Sequence, residues 1–230
     1  MNKLIYFIVL LSYCVITSCK ANAINVSTLP LDIKDVAFSV ERNVNEEHKN
    51  TNSKKIIFRA KINSLWFKDS ISAADKKNKD IIEISLDGEM YDKSQKIVDV
   101  SKGKSNNSTP FLLVSSYFSA NKKGDLDWIA DNFTNEEQSN VRDLFKNKKL
   151  LQDSQKELQS IKAKYLKGEV HYKDYTILLI EQQYKNGKNV TEAIACKQIS
   201  EGWKLTNDLG NDKTFDIVFA AVANGEVIKE

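Results

Sequence analysis

The thiols of Cys14, Cys19 and Cys196 and the imidazoles of His48 and His171 are the obvious carriers of chemistry in this chain. A thiol can bridge, bind a metal, attack as a thiolate or take up acyl chains, and its neighbours decide which. Neither histidine has a second ligand at the i+4 or short-loop spacing of a zinc site, so no metal is expected. There is no G-x-S-x-G elbow for a hydrolytic serine. The eight glycines form no phosphate-cradling loop, so no cofactor is expected either. Cys196 lies within 192–198, where alternation pairs it with Ile194 on one face, the setting of a small buried hydrophobe. Cys14 lies inside an apolar run. Cys19 is left as the thiol with distinctive surroundings.

Those surroundings have the order of an export signal. Lys3 gives a cationic start, residues 4–16 are almost wholly apolar, and Ile16-Thr17-Ser18-Cys19 closes the segment with small residues. Ser12, Thr17 and Ser18 interrupt a stretch already short for the hydrocarbon core, which argues against a retained membrane span. The motif resembles the lipobox of bacterial lipoproteins. In that family the cysteine is diacylated and becomes the new N-terminus, which would make residues 1–18 a signal peptide and Cys19 the lipid attachment point. Lys20, where an aspartate would favour inner-membrane retention, implies by the same resemblance an outer-membrane destination. Ala21-Asn22-Ala23 offers a competing reading, cleavage after Ala23 to release a soluble secreted protein beginning at Ile24.

Composition fits a folded body behind that signal. The chain is 41% hydrophobic and 28% charged, and its net charge of +3 gives no general drive toward nucleic acid. With Cys19 acylated, Cys196 would have no partner, so stability must come from a buried apolar core and not from a disulfide.

The elements can be read in order. Residues 19–32 are small and polar, with Pro30, and read as a tether. Val36, Phe38 and Val40 alternate as a strand, 43–53 reads as a loop, and a second strand is expected over 56–66. Ile82, Ile84, Leu86 and Met90 mark a third strand, with a fourth at 97–100, so 33–100 reads as a small antiparallel β unit. The polar, glycine-containing stretch 101–108 is the clearest boundary. Thr109-Pro110 then starts a helix bearing Phe111, Val114, Tyr117 and Phe118. Gly124-Asp125 ends it and caps a short helix with Leu126, Trp128 and Ile129. Thr134 and Glu137 have capping-box spacing before a third helix. A polar stretch, 146–160, precedes strands at Ile161, Ala163 and Tyr165, at 172–184, and at 190–199 after the Asn186-Gly187 turn. Glu201-Gly202 turns into a strand at 203–206, and 214–222 is expected to close the sheet as a strand or packed tail. Helices before strands predict an α+β layer.

Residues 109–209 resemble the nuclear-transport-factor-like, or SnoaL/ketosteroid-isomerase-like, superfamily. The resemblance lies in the helix order about Gly124-Asp125, in Tyr184-Lys185-Asn186-Gly187-Lys188, and in Gly202-Trp203-Lys204-Leu205-Thr206-Asn207-Asp208-Leu209. It implies a cone-shaped, cystatin-like fold over 109–222, helices across a curved antiparallel sheet, with a cavity that in relatives takes a small apolar molecule. Isomerase-type chemistry would need a carboxylate base in that cavity with donors opposite. Glu181, in step with Ile177 and Leu179, could supply the carboxylate, and Tyr117 and Trp128 the walls. The ordinary role of such aromatics is packing, and no acid matches a family catalytic position, so no catalytic residue is assigned.

The expectation is an exported protein of the bacterial cell envelope, anchored to a membrane by lipid and acting as a non-enzymatic binding or protein-interaction module. Its partner would be an envelope protein or a small apolar ligand. The alternatives are a SnoaL/ketosteroid-isomerase-type enzyme on a small apolar substrate, and the soluble secreted form.

Overall fold

Alternating apolar residues build the first two strands. In β1 (Lys54–Lys61) Ile56, Phe58 and Ala60 are buried, and in β2 (Ile81–Lys96) Ile82, Ile84 and Leu86 are. A computed structural model describes residues 54–72, 80–103 and 107–229. The signal peptide, Cys19, the tether, the strand at Val36–Val40 and the loop at 43–53 lie outside them.

Among the described residues five helices pack on one open, bent sheet of seven strands, the α+β layering that helices before strands predict and the cone-like form that the resemblance implies. After β2 come helices α1 (Pro110–Lys123), α2 (Leu126–Asp131), α3 (Asn135–Phe145) and α4 (Lys148–Ser160). Strands β3 (Ile161–Tyr172), β4 (Tyr175–Tyr184), β5 (Asn189–Ile199) and β6 (Gly202–Leu205) follow, then α5 (Lys213–Asn224) and β7 (Val227–Lys229). The strand order is β6-β5-β4-β3-β2-β1-β7, with every neighbouring pair antiparallel. Sequence separates 33–100 from 109–222, yet their strands share this sheet, because β2 pairs with β3 from Asp87↔His171 to Lys96↔Tyr165.

The sheet carries a core on each face. On one, α5 and the segment 62–71 cover Ile56, Phe58, Ile84, Ile177 and Leu179. On the other, α1, α2 and α3 cover Leu166, Leu178, Ile180, Ile194 and Cys196. Strand β4 is therefore buried on both sides from Thr176 to Ile180, as its unbroken apolar run predicts. Register shifts in β2–β3 between Met90 and Gln95, and in β3–β4, bend the sheet between the two layers.

Local signals set most helix ends. The Leu112 N–H donates to Thr109 Oγ1 at 3.2 Å, Pro110 takes the first helical position, and Gly124 ends α1 at φ +68°. Asp125 accepts from the Trp128 N–H at 3.0 Å to open α2.

Four expectations need correction, the first being the strand over 56–66, which stops at Lys61 and gives way to short 3-10 turns at Ile62–Ser64 and Lys68–Ser70. The polar stretch 146–160 is mostly helix: Asn147 Oδ1 accepts from the N–H groups of Lys149 and Leu150, and the partly buried Leu151 and Leu158 form a narrow apolar stripe. The stretch 214–222 is α5, not a strand or tail, because Asp212 caps it through the Phe215 N–H and Gly225 stops it at φ +72°. Residues 97–100 are not a strand; Val100 N–H donates to Ser119 Oγ, which leads the chain across to α1.

The capping box at Thr134 does not close. Thr134 is the N-cap of α3 but makes no side-chain cap bond. Glu137 instead reaches out of its helix: its Oε1 accepts from the Asn207 N–H at 2.6 Å and its Oε2 from the Asn207 amide at 3.0 Å. These bonds fasten α3 to the chain leaving β6. Glu137→Ala would strand the Asn207 donors and is expected to cost about 2–3 kcal/mol in urea unfolding. A loss below about 0.5 kcal/mol, the scale of an ordinary surface substitution, would contradict that role.

Candidate functional site

Helix α1 passes over β3–β5 so that Tyr117, Phe118 and Asn121, within one turn and a step, face α4 and the sheet. Helix α4 runs back alongside and offers Ser154, Glu157 and Leu158 from one of its faces. The floor is Ile161 at the start of β3, Gln182 of β4 and Glu192 of β5. The resulting cleft is small, a void of about 10 Å³ with room for about one water molecule.

Strand pairing puts the polar groups together. Glu192 lies opposite Ile180 and Gln182 opposite Lys164, so Glu192 and Gln182 are diagonal neighbours on the helix-covered face. The Gln182 Nε2–H donates to Glu192 Oε1, and the Tyr184 hydroxyl reaches Gln182 Oε1 at 3.5 Å. Asn121 gives its Nδ2–H to the Tyr117 carbonyl at 2.9 Å. Lys164 approaches from β3, with its Nζ 4.9 Å from the centre of the Phe118 ring.

Burial sets the electrostatics. Glu192 is 7% exposed, and desolvation pushes its carboxyl up to about 8, against the smaller pull of the Gln182 hydrogen bond and the Lys164 charge. At neutral pH it is mostly protonated. Burial also lowers the Lys164 ammonium. The Tyr117 phenol is pushed up by desolvation and by Glu192, and the Tyr184 phenol by desolvation and Glu157, so both stay neutral.

The residues chosen from sequence separate here. Tyr117 lines the cleft, its ring 5.7 Å from that of Phe133 in an edge-to-face contact. Trp128 does not: its indole N–H donates to Ser116 Oγ at 2.8 Å, and the ring is part of the core. Glu181 is on the wrong face. It alternates with Ile177 and Leu179, which pack under α5, and it meets Lys167 at 3.5 Å and the Gln183 amide at 2.8 Å. Cys19 lies outside the described residues. The buried carboxyl on the helix-covered face is that of Glu192, on the neighbouring strand. The signal was available, since the alternation that pairs Cys196 with Ile194 reaches back to Glu192.

Cys196 itself is buried as expected, with its Sγ 3.3 Å from the Thr176 carbonyl and its thiol pushed well up by desolvation, so it is no nucleophile. Among the described residues no group of three or more His, Cys, Asp or Glu could hold a metal ion. No helix among them is long and apolar enough to cross a membrane. The cleft presents the Glu192 carboxyl, the Gln182 and Asn121 amides and the Tyr117 phenol to a space for about one water molecule. Neither a family model, nor a curated protein, nor a solved structure matches this chain.

Proposed function

We propose that this chain is an exported, lipid-anchored envelope protein that acts as a non-enzymatic binding module, holding one small group of a ligand in the α1–α4 cleft. The observation that carries the binding half is the cleft: a buried Glu192–Gln182 pair beside Tyr117, in a space for about one water molecule. Such a site can recognise a group but cannot enclose a drug-sized substrate, whose pockets run to hundreds of Å³. The order of Lys3, the apolar run and Cys19 supports the anchor. A tether to one membrane would raise the effective concentration of any partner in that layer.

A catalytic reading of the SnoaL/ketosteroid-isomerase type has one observation in its favour, the protonated Glu192 carboxyl near Tyr117. The volume beside it opposes that reading.

Metabolic labelling with a fatty acid tests the anchor. The native chain should take up label and sediment with membranes, and Cys19→Ser should lose both. An unlabelled native protein beginning at Ile24 would contradict it. Native mass spectrometry of the full chain tests the binding half. A stoichiometric small-molecule adduct that Asn121→Leu abolishes without unfolding supports it. A bare mass in every preparation contradicts it.

A further inference from the structure

One amide N–H of Gln182 is spent on Glu192 and one of Asn121 on the Tyr117 carbonyl. Two acceptor atoms remain buried without a partner: Asn121 Oδ1, on a residue 2% exposed, and Glu157 Oε1, on a carboxylate that the Tyr184 phenol also meets. Leaving a buried acceptor unmet costs about 1–3 kcal/mol, and such atoms in a folded protein call for an explanation. A group that brings at least two N–H or O–H donors would meet both atoms.

Charge narrows the class. Glu157 from α4 and Glu192 from β5 line the cleft, while the Lys164 charge acts on Glu192 from β3. Tyr117 from α1 and Tyr184 from β4 stay neutral. Glu192 gains its negative charge as pH approaches 8, which sets it to meet a cation. Its size suits an ammonium group, which occupies about the space of a water molecule. Phe118, Leu158 and Ile161 offer apolar walls for a carbon stem leaving toward solvent.

We propose that the α1–α4 cleft binds the ammonium head of a primary alkylamine, with Asn121, Glu157 and Glu192 as its acceptors. This rests on the binding-module reading and names the ligand chemistry of the same site. A free amine and a lysine side chain of a partner share this chemistry. Because Glu192 is protonated at neutral pH, taking up a cation expels that proton, so affinity rises with pH until about 8.

Isothermal titration calorimetry of the full chain at pH 8 tests the assignment, with n-butylamine as the free amine and Nα-acetyl-lysinamide as the side-chain form. The expected result is saturable one-to-one binding of at least one of them, and the tighter one identifies the source. Butan-1-ol and tetramethylammonium should bind at least about tenfold more weakly, since each lacks either the charge or the donors. Glu192→Gln should weaken amine binding about tenfold, and so should each pH unit below 8 in the native chain. Glu157→Gln, on a half-buried helix face, should weaken it severalfold without disturbing the fold. Binding unchanged in both variants, or equal binding of butan-1-ol, would overturn the proposal. Amine silence with a different adduct in native mass spectrometry overturns the amine class alone; amine silence with a bare mass overturns the binding module as well.

Discussion

Glu192→Gln is expected to make the protein more stable at pH 8 and to flatten its dependence on pH. The carboxyl titrates near 4.5 when unfolded and at about 8 when folded. Between those values the native state holds a proton that the unfolded chain has shed, so stability falls as pH rises. The contribution is fully present below 4.5 and lost once pH passes 8. At about 1.4 kcal/mol per pH unit, the native protein should lose about 3 kcal/mol between pH 5 and pH 8. The neutral amide can still accept from Gln182 and has no proton to lose, so the variant should keep most of that stability. Asp216, pushed up to about 6 by burial against the draw of the Trp66 N–H, adds a loss of the same sign at lower pH that the variant retains. Urea unfolding at pH 5, 6.5 and 8 reads the difference. Parallel pH profiles for the two proteins would refute the buried carboxyl.

Gly168→Ala is expected to loosen the junction that unites the sheet. Gly88 and Gly168 flank the Glu89↔Glu169 pair between β2 and β3. A methyl at Gly168 would press on the Glu89 carbonyl and lie 2.9 Å from Met90 Sδ, and one at Gly88 would lie 2.5 Å from the Glu169 carbonyl. Backbone oxygens held in a ladder cannot step aside as a side chain can. The strands would have to part where β1 and β2 join β3–β6. The expected cost is about 3 kcal/mol, at the upper end for overpacking, or a fall in Tm of about 6–12 °C for a chain of this length. Differential scanning calorimetry measures it, and a fall below about 2 °C would mean that the two strands have slack.

What sequence shows and what it hides follow from the same physics. Local signals were legible: the Thr109-Pro110 start, Gly124, Asp125, the Asn186-Gly187 turn and the alternation in β1 and β2 all act within a few residues. Helix α4 was hidden because its apolar stripe is only a few residues wide in a polar stretch. Helix α5 was hidden because Ile217-Val218 reads as strand, while its cap and stop lie outside the apolar run. The buried carboxyl of Glu192 lies one strand over from Glu181 and on the other face of the sheet. Strand β4 is apolar on both sides, so nothing in it tells which face meets α1, and Glu181 looked as suitable as any acid. Strand β5 did carry the answer, an acid two residues from Ile194 and four from Cys196 on a buried face. Glu137 shows the same limit for caps: spacing predicted a bond to its own helix, while tertiary contact with Asn207 won.

The most direct test of the site is a carbon-13 NMR titration of the Glu192 side-chain carboxyl in the full chain, with Glu192→Gln to assign the resonance. A midpoint at about 8 is predicted, moving down when n-butylamine saturates the cleft. A midpoint near 4.5, unmoved by the amine, would show a solvated carboxylate and contradict the account.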